Sequence, residues 1–216
     1  SSAASDVYKR QVLTVRVNLV FFIHWLAIRL PDFRRLHPDI NLHVTSNIWV
    51  GDTDVEADLE IRHGQGKWAG LKADRLTWDS LVPVCSPSLA TGAKPLDTPD
   101  DLAQHQLLHV LGYEEGWGYW LKKAEADRVD SSQGLQFDTL ISALRMAELG
   151  QGVALARSSL VEHMLYQGAL IAPFEQRFTT QEAFYLVYSP LATANPQAVA
   201  FITWLVAQAQ VGQPEN

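Results

Sequence analysis

The side chains in this sequence that could do metal or nucleophilic chemistry stand apart from one another. His105 and His109 are four residues apart, which would suit a metal ion on a helix. They straddle the end of a predicted helix and the start of a predicted strand, however, and no third ligand is near. Cys85 is the single cysteine, and no neighbouring base is readable that would activate it as a nucleophile. The residues therefore favour no metal site and no catalytic residue.

Acidic residues recur at every second position from Asp52 to Glu60. On an extended strand such residues would share one face. The glycine turn that a calcium loop needs within its twelve-residue frame is missing, so we interpret the stretch as a solvated loop that leads into a strand. Gly64-Gln65-Gly66 is not a dinucleotide-binding motif, because no helix is predicted after it.

Charge and composition exclude several classes of protein. The 216 residues include 17 basic and 24 acidic side chains, a net charge of −7, which makes the chain a poor partner for a phosphate backbone. The most apolar stretch, residues 19–30, is interrupted by His24 and Arg29, so no membrane-spanning helix is predicted.

A lone cysteine fits a reducing compartment. Residues 1–11 lack an apolar core for a signal peptide, and we interpret them as a tag, linker or sequence artefact.

Two predicted helix N-termini are the places where a small ligand could bind. One follows the first strand, at Asn18 to Phe21, and the other is capped by Asp138 and Thr139. Strand ends and helix N-termini are where open α/β folds bind small, often anionic molecules. The alternative, that these are simply capped helices, stays open on geometry alone.

Alternating strands and helices must position these termini. Apolar and β-branched runs predict strands at residues 12–17, 40–46, 57–62, 81–85, 107–111, 153–156 and 182–188. Helical spacing and caps predict helices at residues 19–36, 117–126 and 139–149, a helix start at Thr98-Pro99, and a C-terminal helix from Pro196. The absence of hairpin turns between the first strands indicates a parallel α/β sheet.

Several segments, taken in order and spacing, carry a family resemblance. They are LTVRV (13–17), WLAIRLPDFRRLHPDINL (25–42), DLEIRHGQGKWAGLKADRL (58–76), LVPVCSPSL (81–89), TPDDLAQHQLLH (98–109) and GQGVAL (150–155). From about residue 12 to residue 210 the chain resembles the effector-binding domain of LysR-type transcriptional regulators, in the branch of the glycine-cleavage and β-lactamase activators.

The resemblance implies an α/β, two-lobed periplasmic-binding-protein-like (type 2) fold. Each lobe would be a Rossmann-like mixed sheet with helices on both faces, lobe I being residues 12–82 plus 189–210 and lobe II residues 83–188. The effector would sit in the cleft between the lobes. The ligand-binding residues that the family pattern implies are Asn18, Leu19, Val20, Phe21, His63, Gly64, Cys85, Ser86, Asp138, Thr139 and Val153.

The resemblance also implies partners. Family members form homodimers or homotetramers, bind a small-molecule effector, and contact DNA through an N-terminal winged helix-turn-helix, which we expect to be absent from this chain. The protein would be cytoplasmic, without cofactor, membrane contact or enzymatic activity. One alternative is the solute-binding protein of a transporter, which would need export. Another is a prephenate- or porphobilinogen-type enzyme on the same fold, which would need polar catalytic residues where residues 19–22 are apolar.

Three positions depart from the family pattern. Relatives usually carry Ser or Thr at Val20, whose apolar replacement leaves backbone N–H groups as the donors there and predicts an effector with an apolar or aromatic part. Relatives usually carry small residues at Arg16 and Glu60. Because these two charges of opposite sign fall on strands that the fold makes neighbours, we predict that they form a cross-strand ion pair.

Overall fold

The computed structural model describes residues 12–47 and 56–214. In chain order its strands are β1 Val12–Asn18, β2 Asn41–Asn47, β3 Leu59–Gly64, β4 Lys72–Arg75, β5 Ser80–Val84, β6 Leu107–Val110, β7 Leu135–Phe137, β8 Val153–Arg157, β9 Phe178–Thr179 and β10 Ala183–Tyr188. Its α-helices are α1 Leu19–Phe21, α2 Leu30–Leu36, α3 Pro87–Ala90, α4 Trp117–Lys123, α5 Leu140–Glu148, α6 Ser158–Tyr166 and α7 Pro196–Gln210. A π-helical turn covers Phe22–Leu26, and 3₁₀ helices cover Pro99–Gln104 and Pro190–Ala194.

The chain divides into two compact units, each built on one mixed five-stranded sheet. Unit 1 holds the chain up to Thr77 and from Gln181 onward, and unit 2 is Trp78–Thr180. In unit 1 the strand order is β2-β1-β3-β10-β4, with β1 parallel to β2 and β3 and with β10 antiparallel to β3 and β4. In unit 2 the order is β7-β6-β8-β5-β9, with β6 parallel to β7 and β8 and with β5 antiparallel to β8 and β9.

The units agree with the predicted α/β fold of two mixed sheets, but their boundaries differ from the predicted ones. The prediction placed residues 183–188 in lobe II. In the structure these residues form β10, which pairs with β3 and β4 inside unit 1. Strand β5, whose residues 80–82 the prediction assigns to lobe I, belongs to unit 2. The predicted extraneous segment, residues 1–11, lies outside the described residues.

Strand β1 shows why the sheet of unit 1 has one buried face. Leu13, Val15 and Val17 alternate with Thr14 and Arg16, and the three apolar side chains are fully buried while the two polar ones are half-buried. Helices α2 and α7 meet in the same unit, where Phe33 packs against the rings of Phe201 and Trp204, with ring centres 5.1 Å apart in both pairs. The Trp204 Nε1–H also donates to Asp32 Oδ2 at 3.1 Å.

The helix predicted at residues 19–36 is interrupted. A short α-helical start passes into the π-helical turn Phe22–Leu26, and α2 begins anew at Leu30. Pro31 in the first turn of α2 has no N–H to continue the ladder of the preceding helix, which accounts for the break. The helix ends at His37, as predicted. Among the described helices none is long and apolar enough to cross a bilayer.

In unit 2 the core is built around tryptophans. Trp117 and Trp120 of α4 pack edge to face with ring centres 5.8 Å apart, and both are almost fully buried. The Trp117 Nε1–H donates to the carbonyl oxygen of Leu108 at 3.1 Å, so this indole buries its polar atom without losing a hydrogen bond. The side chain thereby ties α4 to β6.

Candidate functional site

The chain leaves and re-enters unit 1 at one edge of its sheet. It leaves after β4, at Thr77, and returns at Gln181 just before β10. Because Ala183 lies opposite Gly64, and Val17 opposite Ile61, this edge also holds the carboxyl ends of β1 and β3. We call it the connection end of unit 1. It gathers the predicted ligand residues Asn18, Leu19, His63 and Gly64.

Asn18 is the most constrained polar side chain at this end. It is 8% exposed, and its Oδ1 accepts from the backbone N–H of Val20 at 3.1 Å and of Phe21 at 3.4 Å. The amide thus caps α1, as its position in the sequence predicts. These two N–H groups are therefore already engaged, which counts against the expectation that backbone donors here receive the ligand.

Two of the predicted ligand residues are core residues instead. Phe21 is 0% exposed and stacks between Trp25 and Phe184, with ring centres 4.8 and 4.9 Å away. Val20 is 4% exposed. Both belong to the buried side of the first helix, so their side chains offer almost no surface to a ligand. A serine at Val20 would place a hydroxyl in the core rather than in a binding site.

A buried acid, which the sequence analysis does not predict as a site residue, lies at the same end. Glu182 stands directly before β10, with its Oε1 3.9 Å from Nδ1 of His63. The His63 ring packs edge-on against Phe184, with ring centres 4.8 Å apart. The signal in the sequence was a charged residue at the start of an apolar strand.

The predicted pair of Arg16 and Glu60 is present. The two residues lie opposite each other on β1 and β3, and Arg16 Nη1 is 3.5 Å from Glu60 Oε2. Arg62 adds a second cation, since its Nε and Nη2 donate to the two Glu60 oxygens, both at 3.0 Å. The side chains of Arg16, Glu60 and Arg62 are 13%, 19% and 18% exposed. We call these three residues the charged triplet.

The acidic stretch that precedes β3 is only partly described. Asp52 and Asp54 lie outside the described residues. Asp58 accepts from the backbone N–H of Thr14 at 2.8 Å and so ties the start of β3 to β1. Together with Glu60, this gives two members of the stretch a structural role that a merely solvated loop would not require.

Unit 2 has a connection end of its own. The chain enters at Trp78 before β5 and leaves after β9, and the carbonyl of Asp79 accepts from the N–H of Thr180 at 3.1 Å. Leu81 lies opposite Arg157, so the carboxyl end of β8 is at this edge, and with it those of the parallel strands β6 and β7. Asp138 and Thr139 follow β7 here, and Thr139 Oγ1 caps α5 by accepting from Ile141 N–H at 3.3 Å.

Cys85, Ser86 and Val153 lie at the opposite edge of that sheet. Val84 pairs with Ala154, and Val153 is the first residue of β8. The five residues of β8 separate the two edges by about 13 Å, at ~3.3 Å per residue. The predicted ligand residues of unit 2 therefore split into two groups, and one small ligand would not contact both Thr139 and Ser86.

The residues at the far edge have structural roles. Ser86 caps α3, its Oγ accepting from Leu89 N–H at 3.2 Å. Cys85 is fully buried, and burial raises the pKa of its thiol to about 11, which keeps it protonated and unreactive.

His105 and His109, the pair considered as metal ligands, each form a hydrogen bond through Nε2 to a backbone carbonyl, that of Pro95 at 2.9 Å and that of Gln133 at 2.8 Å. Within the described parts of the chain no three His, Cys, Asp or Glu residues are grouped as a metal would need.

Two buried charges at the connection end of unit 2 were not predicted. Arg157 is 1% exposed, and its guanidinium carbon lies 3.4 Å from the centre of the Tyr113 ring. Asp79 is 2% exposed and accepts at Oδ1 from the Ser159 N–H at 2.8 Å and the Ser158 hydroxyl at 3.3 Å, at the N-terminus of α6. A charged residue closing the apolar run of β8 was the available signal for Arg157.

Comparison with known proteins gives one consistent result. The family described as the LysR substrate binding domain matches residues 9–210. The glycine cleavage system transcriptional activator of Escherichia coli K12 is 35% identical over 202 residues, which are 93% of this chain and 66% of that protein. The transcriptional activator AmpR of Pseudomonas aeruginosa is 32% identical over 204 residues, 94% of this chain and 67% of AmpR.

Solved structures agree. The effector domain of AmpR from Pseudomonas aeruginosa superposes with a TM-score of 0.81 at 31% identity, covering 93% of this chain and 96% of that domain. The AmpR effector-binding domain from Citrobacter freundii gives 0.82 at 27% identity, covering 93% of this chain and 99% of that domain. The chain thus spans the effector-binding part of these relatives and about two thirds of the full-length proteins.

Proposed function

Since the chain belongs to the LysR substrate-binding domain family, we propose that it is the effector-sensing domain of a LysR-type transcriptional regulator and binds a small molecule in the inter-lobe cleft that the family resemblance implies. Its relatives are transcriptional regulators and not enzymes. The observation that carries the proposal is the concentration of buried polar side chains at the connection end of each unit. Burying a polar group costs free energy unless it is hydrogen-bonded, and ligand sites combine an apolar lining with a small number of such placed polar groups.

The output of binding would be a shift between conformations or assemblies. A homodimer or homotetramer in the cytoplasm would transmit this shift to DNA through the N-terminal winged helix-turn-helix of the full-length regulator. The net charge of −7 supports a division of labour in which this domain itself does not bind the phosphate backbone. Because its relatives are transcriptional activators, this role is favoured over that of a transporter's solute-binding protein.

Calorimetric titration with a chemical panel tests ligand binding. The panel comprises glycine and the other amino acids, small mono- and dicarboxylic acids, and aromatic acids. The first group is included because one relative's name refers to glycine cleavage. We expect at least one class to give saturable heat with one site per chain. A flat response across all three classes would contradict the proposal.

Alanine variants of two pairs of helix-capping residues, one pair in each unit, then test where the compound binds. Thr139→Ala and Ser86→Ala each remove a capping hydroxyl from unit 2, and each should cost about 1 kcal/mol of stability. Only Thr139→Ala should also weaken the binding of the panel compound, by roughly tenfold for one lost hydrogen bond. In unit 1, Asn18→Ala is compared with Asn195→Ala, because Asn195 caps α7 through an equivalent Oδ1 contact to Gln197 N–H at 3.0 Å.

The pattern across the four variants decides the location. Loss of affinity in Thr139→Ala and Asn18→Ala alone supports binding at the connection ends. Loss in Ser86→Ala with none in Thr139→Ala would move the site to the other edge of the unit 2 sheet and refute the proposal as stated.

A further inference from the structure

The charged triplet of unit 1 holds one more positive than negative charge. Arg62 occupies both oxygens of Glu60 with two parallel hydrogen bonds at 3.0 Å. Arg16 reaches the same carboxylate only through Nη1, at 3.5 Å. Its Nη2 is buried and has no hydrogen-bond partner. The Arg16 guanidinium is therefore only partly neutralised in a place where 13% of its side chain is exposed.

A small cavity lies against this guanidinium. It has a volume of about 20 Å³, and its lining includes Arg16, Arg62, Asn18, Asn47 and His63. A cavity needs roughly 10–15 Å³ to hold one water-sized occupant, so there is room for one atom or ion of that size. The lining residues include two arginines and two asparagines, whose side chains carry N–H donors of the kind that bind anions.

Two carboxylates among the described residues lie on or near the lining of the cavity. Glu60 also lines it, but both its oxygens accept from Arg62. Glu182 is not among the lining residues, and its Oε1 lies 3.9 Å from Nδ1 of His63. A cation would meet two guanidinium groups, while a water molecule would satisfy Arg16 Nη2 without offsetting its charge.

We propose that this cavity is an anion site that binds a single negatively charged atom, either a halide ion or one oxygen of a carboxylate. The site lies within unit 1, and two of its lining residues, Asn18 and His63, are also predicted ligand residues. Its carboxylate form therefore rests on the proposed function, whereas its halide form does not. The anion site depends on Arg16, because Glu60 already pairs with Arg62 through both of its carboxylate oxygens.

Thermal unfolding in a chloride titration tests the site. The probe is sodium chloride added to a chloride-free buffer, and the variants are Arg16→Gln, Glu60→Gln and the control Arg35→Gln. Arg35 is a surface arginine of the same unit, paired with Asp32 at 2.8 Å, so its replacement matches the chemical change away from the cavity. Chloride at about ten times its dissociation constant shifts the folding equilibrium roughly elevenfold, a rise in Tm of roughly 3–6 °C.

The variants should separate in order. The unaltered protein and Arg35→Gln should show the same chloride-dependent rise in Tm, and Arg16→Gln should lose most of that rise. Glu60→Gln should show a larger rise, because it removes the carboxylate that competes with chloride for Arg16. Arg16→Gln leaves the Glu60–Arg62 pair intact and should fold. If Arg16→Gln responds to chloride as strongly as the control does, or if Glu60→Gln responds less than the unaltered protein, the proposal is wrong.

Chlorine NMR gives an independent readout on folded protein at one temperature. Exchange of chloride with the site should broaden the chloride resonance in the unaltered protein, and Arg16→Gln should abolish the excess broadening. Acetate distinguishes the two sources of the charged atom. If acetate displaces chloride and raises the Tm more than chloride does at equal concentration, the site binds the carboxylate of an organic acid. If chloride raises the Tm more, the site is a halide site. Broadening that survives in Arg16→Gln would overturn the assignment.

Discussion

Replacing Glu60 with alanine would leave Arg16 and Arg62 together without the one carboxylate that contacts both. Removing one partner from a fully buried ion pair costs about 3–5 kcal/mol, since the remaining charge stays desolvated. The exposed fractions of 13% and 18% for the two arginines admit some water, so we expect a loss of about 2–3 kcal/mol. Arg16→Ser should cost less than about 1 kcal/mol, because Arg62 still neutralises Glu60.

The double variant distinguishes charge from packing. Adding Arg16→Ser to Glu60→Ala removes one of the two stranded cations, so it should restore about 1 kcal/mol relative to Glu60→Ala alone. If Glu60 acted only through packing, the second replacement would instead reduce stability further.

Urea unfolding in a low-chloride buffer, followed by tryptophan fluorescence, measures these differences; Trp25 and Trp204 report on unit 1. A loss below about 1 kcal/mol in Glu60→Ala would refute the reasoning, as would an equal loss in Arg16→Ser.

Three further predictions concern unit 2. Burial raises the pKa of Cys85 to about 11 from an ordinary value of 9.0, so the free energy of unfolding should fall as pH rises from about 9 towards 11. In urea titrations the loss should be on the order of 1 kcal/mol at pH 10, and Cys85→Ala should lack this component. Gly152→Ala should reduce stability by roughly 2–4 kcal/mol in thermal unfolding, because Gly152 has a φ of +154° and a Cβ there would collide with the carbonyl oxygen of Gln106. The control, Gly118→Ala in α4, should be neutral or slightly stabilising. Asp79→Ala should cost about 2 kcal/mol by uncapping α6, and Asp79→Asn, which keeps an acceptor, about half as much by the same measurement.

Features set by neighbouring residues could be predicted from the sequence. The sequence predicts the first strand where β1 lies, and the helix starts that it predicts at Asn18 and Thr139 are the caps of α1 and α5. The Arg16–Glu60 pair could also be predicted, because two unusual charges of opposite sign on adjacent strands stabilise each other.

Features set by strand direction could not be predicted. The run LVPV in β5 reads the same whether the strand is parallel or antiparallel to β8, since a strand buried on both faces has no alternation to fix its orientation. The family resemblance groups Cys85 and Ser86 with Thr139, and the antiparallel direction of β5 places them at the other edge of the sheet. The predicted boundary at Tyr188 differs from the structure for another reason, because β10 pairs with β3 and β4, which lie far from it in sequence.

The position of β10 between β3 and β4 has a consequence for synthesis on the ribosome. Unit 2 is one continuous stretch, Trp78–Thr180, and can complete its sheet as soon as that stretch has emerged. Unit 1 begins earlier but has no partner for the inner edges of β3 and β4 until Ala183–Tyr188 is made. The first unit to be translated is thus the last to fold, and a ribosome that stalls before Ala183 would leave a nascent chain with unpaired strand edges, a substrate for chaperones or aggregation.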